Sequence, residues 1–386
     1  MSEIGIGLVG YKFMGRAHSN AWRQVGHFFD VDPVPRLRAV AGRDEAGVKE
    51  AAASLGWEGY ETSYERLLAR DDIQLIDVCT PGNSHHDIAI AALRAGKHVL
   101  CEKPLANSLA QAKEMVEAAE QAGTVNMVTF NYRRVPAVQL AKQLIAEGRI
   151  GEVRHWRAVY LQDWILDPQF PLVWRLQKDL AGSGALGDIG AHIVDLAQFL
   201  VGPITEVIGT LNTFIKERPT EEASTGGSGL TAAGGTRMGE VTVDDSTTIL
   251  ARFESGATGT FEATRLAAGR RNYNSFEING SEGSLVFNLE RLNELQVYFT
   301  SDPEDVQGFR TISVTEPVHP FTGAWWPAGH IIGYEHSFVH TIKDLLDGVR
   351  KNESPAPTFL DGYRCQAVLD AVEQSANSRQ WTAVPG

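Results

Sequence analysis

The chain has 386 residues, 43% of them hydrophobic and 22% charged, which is typical of a globular protein large enough for two separately packed domains. The formal net charge of -13 argues against a nucleic-acid partner and against binding to an anionic membrane surface. Three scattered cysteines argue against a disulfide framework, and with no amino-terminal signal pattern and no long apolar run we expect a cytoplasmic protein.

The first segment has the pattern of a strand, a glycine turn and a helix. An apolar run over residues 4–9 leads into Gly10, and an amphipathic helix is predicted over 16–29. Gly10 and Gly15 occupy the outer places of a G-x-G-x-x-G pattern, whose backbone approaches a pyrophosphate at a helix amino terminus. Lys12 holds the middle place, where it either blocks that approach or reaches a phosphate. Alone, the pattern fits a plain turn equally well.

A second strand, predicted over residues 37–41, ends at Gly42, Arg43 and Asp44. A dinucleotide-binding fold usually places an acid here against the ribose hydroxyls. Because Arg43 and Lys12 would suit a 2′-phosphate, the cofactor is expected to be NAD or NADP, with NADP weakly favoured. Asp44 keeps NAD open, and it is equally suited to cap a helix predicted over 45–55.

Strands predicted over residues 75–79 and 98–101, with a helix over 87–95 between them, continue this alternation to residue 127. The alternation predicts a doubly wound parallel sheet. Its fourth main strand ends at Glu102 and Lys103, and ligands bind at the carboxyl ends of such strands. Lys103 is therefore placed to share a proton with a substrate hydroxyl. It is equally well explained as a strand-end lysine paired with Glu102.

No metal site is expected near the adjacent histidines at 85 and 86, because adjacent side chains do not face one ion and no further ligand lies at the right spacing.

From residue 152 onwards alternating runs predict a large, mostly antiparallel sheet. The predicted strands cover residues 153–162, 204–215, 247–253, 258–263, 275–278 and 285–287. Hairpin turns are expected at 254–256 and 279–280, a mobile surface loop at 221–240, and helices at 137–147, 335–347 and 361–378. The predicted domains are residues 1–130 and 131–386, and the last helices are free to return to the first domain.

A second group of polar residues follows a glycine-rich stretch that begins at Gly182. Asp188 and His192 are four positions apart, so on a helix they share a face and the carboxylate would fix the imidazole tautomer. Asp195 falls on a neighbouring part of that face. The alternative is a helix with an acid near its amino terminus and a satisfied core histidine.

Taken together, the glycine turn, the Glu-Lys-Pro run and the Asp-x-x-x-His helix resemble the Gfo/Idh/MocA (glucose-fructose oxidoreductase, inositol dehydrogenase, rhizopine catabolism) family. The most specific runs are residues 95–104 (AGKHVLCEKP) and 187–192 (GDIGAH). Within that family, residues 160–164 (YLQDW) and 173–175 (VWR) look most like the levoglucosan dehydrogenases and related oxidoreductases of sugars.

The resemblance implies an amino-terminal Rossmann domain, a carboxy-terminal α+β domain with a large open sheet, and NAD(P)-dependent interconversion of a sugar or polyol hydroxyl and a ketone. Lys103 and His192 would handle the proton, and Asp188 would orient the histidine and the substrate. The expected cofactor-binding residues are Gly10, Lys12, Phe13, Met14, Arg43, Thr80, Pro81, Asn83, His86, Glu102 and Lys103. The expected sugar-binding residues are Tyr132, Gln162, Trp174, Arg175, Asp188 and His192.

The alternative for two of these residues is a purely structural role, with Trp174 in the core and Arg175 in a surface ion pair. Proteins of this family commonly pair through the exposed face of the sheet, so a homodimer or homotetramer is expected. Two other functions stay open: an enzyme that keeps its NAD tightly bound, such as an aldose-aldose oxidoreductase or an NAD-dependent glycosidase, and a non-catalytic regulator that binds dinucleotide or sugar.

Overall fold

The computed structural model describes residues 2–221 and 234–386. The chain forms two compact units, one made of Met1–Asn131 and Gly333–Tyr363, the other of Tyr132–Ile332 and Arg364–Gly386. None of the helices within the described ranges has the length and apolar character needed to cross a membrane.

The first unit is built on a six-stranded parallel sheet. Its strands are β1 Glu3–Val9, β2 Val34–Ala41, β3 Gly59–Glu61, β4 Leu75–Val78, β5 His98–Cys101 and β6 Asn126–Val128. Its helices are α1 Phe13–Phe28, α2 Glu45–Leu55, α3 Tyr64–Leu68, α4 His85–Arg94 and α5 Leu109–Ala122. The strand order β3-β2-β1-β4-β5-β6 is that of a Rossmann fold, which confirms the predicted doubly wound sheet.

Local sequence explains why these strands form. The residues of β4 are all buried, and β5 is buried apart from its first residue. Both strands are covered on two faces, which is why their sequences are apolar runs. The one charged residue in β4 is Asp77, which has no exposed surface. A buried carboxylate needs partners, and these are described below.

The second unit is built on a nine-stranded sheet in the order β16-β15-β14-β13-β7-β12-β11-β8-β17. Its strands, with the separate pair β9 and β10, are β7 Val153–Leu161, β8 Ile204–Asn212, β9 Glu217–Glu221, β10 Gly234–Glu240, β11 Ser246–Phe253, β12 Thr258–Thr264, β13 Tyr273–Gly280, β14 Gly283–Asn288, β15 Glu294–Phe299, β16 Arg310–Ser313 and β17 Thr382–Ala383. Only β12 and β7 pair in parallel among the described strands of this sheet, so it is mostly antiparallel as predicted.

The helices of the second unit are α6 Pro136–Ala146, α7 Lys178–Ala181 and α8 Ala191–Leu200. Strand β11 alternates between buried and exposed residues, so one face of the sheet carries the core and the other faces outward. On the core face the rings of Trp156 and Phe276 stack with centroids 5.0 Å apart.

Two helices near the carboxyl end complete the structure. Helix α9, His336–Lys351, belongs to the first unit and packs against α1, while α10, Phe359–Ser378, begins in the first unit and continues in the second.

Three expectations about the second half of the chain were wrong. Residues 221–240 were expected to form a loop, but β9 and β10 pair as antiparallel strands at its two ends; positions 222–233 lie outside the described residues. The turn expected at Asn279 and Gly280 lies two residues later, because both residues still belong to β13. Strands β15 and β16 were not predicted, and β16 is a largely exposed edge strand whose own residues carry little apolar signal.

Candidate active site

The first unit presents its predicted cofactor residues where strands end. Residues Gly10, Thr80 and Glu102 follow β1, β4 and β5, which are neighbours in the sheet. The strand order reverses direction between β1 and β4, and this switch point is where open α/β sheets bind ligands.

The glycine turn has the backbone geometry of a dinucleotide site. Gly10 has a φ of +95°, and a Cβ there would lie 2.7 Å from the Cys79 carbonyl oxygen. A Cβ on Gly15 would lie 2.1 Å from the Gly10 carbonyl oxygen, so α1 approaches β1 too closely for a side chain. The residues present therefore fit a pyrophosphate at the amino terminus of α1.

Lys12 departs from the glycine pattern without displacing that turn. It is the residue that precedes α1, and its ammonium lies 5.1 Å from the centre of the Tyr11 ring. Phe13 and Met14 form the first turn of the helix, and 41% of Phe13 is exposed.

The end of β2 carries a carboxylate that does not cap the following helix. Asp44 precedes α2, yet its side chain makes no capping hydrogen bond. The Tyr11 side chain lies beside it, and burial followed by the charge of Asp44 raises the pKa of Tyr11. Arg43, beside it, is exposed. The carboxylate at this strand end thus lies beside a residue of the glycine turn.

The loop after β4 is tied to the loop after β5. The two ring nitrogens of His85 lie 2.8 Å from the Thr80 carbonyl oxygen and 2.9 Å from the Pro104 carbonyl oxygen. Burial lowers the pKa of His85. This buried side chain fixes the backbone on either side of Pro81 and Asn83, the residues expected to face the nicotinamide.

His86 lies apart from these strand ends. Its ring nitrogens contact Asp87 at 2.7 Å and Glu114 of α5 at 2.8 Å. Burial lowers the pKa of His86, but these two carboxylates outweigh it and raise the pKa. The structure therefore gives His86 a role in joining α4 to α5, and its predicted contact with cofactor stays untested.

The end of β5 carries Glu102 and Lys103, and Lys103 precedes a cis proline. Only 4% of Glu102 is exposed. One carboxylate oxygen lies 2.9 Å from Nε2 of His18, and the other accepts from the Lys103 backbone N–H at 3.1 Å. The contact shown between these two residues is thus a hydrogen bond from the Lys103 backbone, and the carboxylate has a second, buried partner in His18.

In the second unit, His192 lies among aromatic rings. The chain enters α8 through a π-helical turn, Leu186–Gly190, and His192 is 7% exposed. Its ring centre lies 4.5 Å from that of Tyr132 and 5.8 Å from that of Tyr160. The structure therefore confirms the helix but places His192 against two tyrosines.

Hydrogen-bonding groups continue outward from these tyrosines. Both the Tyr160 hydroxyl, at 2.7 Å, and the Gln162 amide, at 2.8 Å, donate to Oδ1 of Asn272. Since Tyr160 donates there, its oxygen accepts from the Tyr132 hydroxyl at 2.9 Å. Trp164 extends the chain by donating to Oε1 of the Gln162 side chain at 3.0 Å. Tyr132 and Gln162, predicted separately, belong to one connected network.

Asp188 is held by arginines. It lies 3.4 Å from Nη1 of Arg265, which is completely buried, and 3.9 Å from Nε of Arg175. The Arg175 guanidinium lies 4.3 Å from the centre of the Trp174 ring. Arg175 is only 13% exposed, so neither a surface ion pair nor an isolated core tryptophan describes this pair.

Asp195 has a separate role from the one its spacing suggested. Its carboxylate accepts two hydrogen bonds from the Arg133 guanidinium, at 2.9 and 2.6 Å, and the two side chains are 1% and 6% exposed. The π-helical turn also shifts Asp188 relative to α8, so a plain α-helical face does not describe the group.

Comparisons with known proteins agree with this architecture. Family models match residues 4–130 as "Oxidoreductase family, NAD-binding Rossmann fold" and residues 138–286 as "GFO/IDH/MocA C-terminal domain". The chain belongs to the Gfo/Idh/MocA family of oxidoreductases, which confirms the resemblance.

Particular relatives are similar over the whole chain. The levoglucosan dehydrogenase of Pseudarthrobacter phenanthrenivorans is 43% identical over 387 residues, which cover 100% of this chain and 99% of the relative. An oxidoreductase domain protein from Kribbella flavida has a TM-score of 0.95 at 55% identity, with 100% of both chains covered. A levoglucosan dehydrogenase complex with NADH and levoglucosan has a TM-score of 0.94 at 42% identity, again with 100% of both covered.

Several supporting residues were missed from the sequence. Tyr160 had a signal, because Trp156, Ala158 and Tyr160 alternate on the buried face of β7. Asp77 was also detectable as a lone acid in an apolar strand, which requires a partner. Arg265 had no signal, since 77 positions separate it from Asp188.

Proposed function

We propose that this protein is an NAD-dependent dehydrogenase that oxidises a hydroxyl of a sugar or anhydrosugar to a ketone. The observation that carries the proposal is the match to a levoglucosan dehydrogenase along both units of the chain. In this proposal the first unit binds the cofactor and the second binds the sugar. When bound, the nicotinamide supplies the hydride acceptor.

A sugar fits the network of the second unit. Sugars present apolar ring surface and hydroxyl groups together, so their sites combine aromatic faces with amide and hydroxyl groups. Tyr132 and Gln162 offer these groups. Gln162 is held by Asn272 directly and Tyr132 through Tyr160, which reduces the conformational entropy lost on binding. Trp174 and Arg175 would extend the site.

Lys103 and His192 are the proposed proton-handling residues. Oxidation of an alcohol needs removal of the hydroxyl proton, and a neutral imidazole nitrogen of His192 accepts it. The Lys103 ammonium stabilises negative charge that develops on the oxygen. Asp188 orients the substrate from a position fixed by Arg265 and Arg175. Reassigning the base to Lys103 would leave the rest of the proposal intact.

We infer that NAD, and not the initially favoured NADP, is the cofactor. Support comes from Asp44, whose carboxylate makes no capping hydrogen bond to the following helix. A carboxylate at this strand end accepts hydrogen bonds from ribose hydroxyls and repels a 2′-phosphate. Arg43 and Lys12 are the residues that would instead favour NADP, by binding its 2′-phosphate.

We further propose that copies of the chain pair through the outward face of the nine-stranded sheet. On β11 and β12 the residues of that face are exposed, and Leu250 is an apolar one at 47% exposure. Light scattering of the purified protein tests this proposal, with twice or four times the 42.1 kDa chain mass expected. A monomer at micromolar concentration would refute it.

The experiment that tests the function is an absorbance assay for reduced nicotinamide. Purified protein is mixed with NAD or NADP and with levoglucosan, aldoses, inositols or glycosides in turn. We expect NAD reduction with one class of sugar and a slower reaction with NADP. A protein that binds NADH but reduces neither cofactor with any sugar would instead support the tightly bound-NAD or the regulatory alternative.

A further inference from the structure

His18 lies in the first unit between two carboxylates. It is on α1 and is 1% exposed. Its Nδ1 lies 2.9 Å from both oxygens of Asp77, and its Nε2 lies 2.9 Å from Oε1 of Glu102. An ionised carboxylate only accepts, so each contact requires an N–H on the ring, and a neutral imidazole has only one.

Other donors also face both carboxyl groups, and hydrogen bonds donated to a carboxyl group favour its ionised form. Asp77 also accepts from the Trp22 indole at 2.8 Å and from the Cys79 thiol at 3.5 Å. Glu102 accepts from the Lys103 backbone. Burial raises the pKa of Cys79, so its sulfur keeps the proton that it donates. With both carboxyl groups ionised, both ring nitrogens of His18 carry a proton.

We propose that His18 is a positioning residue: as a buried imidazolium it bridges Asp77 and Glu102, and so fixes the carboxylate of Glu102 and the backbone of Lys103 at the end of β5. This inference rests on the proposed function, in which Glu102 and Lys103 serve cofactor and substrate.

The electrostatics of the cluster agree with this assignment. Burial lowers the pKa of His18, but the charges and hydrogen bonds of Asp77 and Cys79 together outweigh it and hold the pKa well above its usual range. The charged groups that face the ring are Asp77 from β4 and Glu102 from β5, whereas α9 contributes the uncharged Phe338 ring at 5.3 Å.

A metal ion is a poorer explanation of the same residues. The donor atoms of His18, Asp77 and Cys79 lie within 4.8 Å of one another. However, an ion there would have to displace the proton between His18 and Asp77 and the proton of the Cys79 thiol, whose pKa is raised by burial.

Nitrogen NMR of the imidazoles tests the charge state without any turnover. At pH 8.5 exposed imidazoles are neutral, because their pKa is about 6.5. We expect the wild-type protein to show a doubly protonated imidazole whose signal is lost in His18→Gln. A neutral His18 at this pH would overturn the proposal, even if His18→Gln fails to fold.

Cofactor binding and turnover test the positioning role. In His18→Gln the side-chain amide does not donate to both carboxylates as the imidazolium does. We therefore expect NADH to bind about tenfold more weakly and kcat to fall about tenfold or more. Val25→Ala is the matched control, because Val25 is equally buried on α1 but lies outside this cluster. It should lower stability and leave NADH affinity and kcat near wild type.

The two proposals fail in different ways. A wild-type protein that turns over sugar, with His18→Gln behaving like Val25→Ala, would refute the role of His18 and leave the function intact. A wild-type protein without sugar turnover, but with a persistent imidazolium and NADH binding weakened by His18→Gln, would refute the function and support the role of His18.

Discussion

Two aspartates of the second unit, Asp188 and Asp195, should respond in opposite ways to replacement by asparagine. Asp195→Asn removes the charge from a bidentate pair in which Asp195 is 1% and Arg133 6% exposed, and leaves a buried guanidinium without its counter-charge. Breaking such a pair costs about 3–5 kcal/mol of unfolding free energy. For a urea m-value of about 3 kcal/mol/M, the unfolding midpoint should fall by about 1 M.

Urea unfolding followed by circular dichroism, with kinetics on the folded variants, separates the two roles. Asp188→Asn should barely move the midpoint, because Asp188 is 24% exposed and Arg265 also donates to the Asp244 and Arg175 carbonyl oxygens. It should lower kcat/KM about 10²-fold, since it loosens the orientation of substrate. The folded Asp195→Asn protein should keep kcat near wild type.

The double variant Arg133→Met with Asp195→Leu is the matched control for the buried pair. Apolar replacement of both partners is often neutral or stabilising, so most of the lost stability should return. A wild-type urea midpoint for Asp195→Asn would refute this reasoning. So would an unchanged kcat/KM for Asp188→Asn.

Three further predictions concern the first unit. Lys103→Ala should lower kcat by about 10²-fold or more with NADH binding retained. Unchanged turnover would refute the proposed role of Lys103 in proton handling. Gly15→Ala should destabilise the protein by about 1–3 kcal/mol in thermal unfolding, because its Cβ would lie 2.1 Å from the Gly10 oxygen. The control Gly26→Ala should not destabilise the protein, because the atom nearest to its Cβ is 3.9 Å away. Because the pKa of His18 is raised in the folded state, its stabilisation is complete below about pH 6.5 and is lost as pH rises through the folded pKa. Wild type should therefore lose more stability than His18→Gln in alkaline urea titrations, and parallel losses would contradict this.

The sequence predicts the first unit well because buried parallel strands are apolar runs. The runs at β4 and β5 and the helix α2 needed only local periodicity, and the positions of Gly10 and Lys103 follow from strand ends. In the second unit, strand β16 was not predicted, because it is held by pairing with β15 and its own residues are mostly exposed and show little apolar pattern.

The partners of the site residues depend on long-range packing. His18 and Glu102 are 84 positions apart, and no local pattern connects them. The spacing of Asp188 and His192 was visible, but the π-helical turn between them and the buried Arg265 were not. Helical spacing alone therefore suggested the shared face, but not the arginines beside Asp188 or the tyrosines beside His192.

The central claim, direct hydride transfer from a sugar carbon to NAD, is tested by the fate of deuterium. Purified protein is incubated with NAD and levoglucosan deuterated at every carbon, and the reduced cofactor is analysed by mass spectrometry. We predict NADH that carries one deuterium from the sugar. Reduced cofactor without deuterium, or no reduction with this or any other deuterated sugar, would contradict the claim.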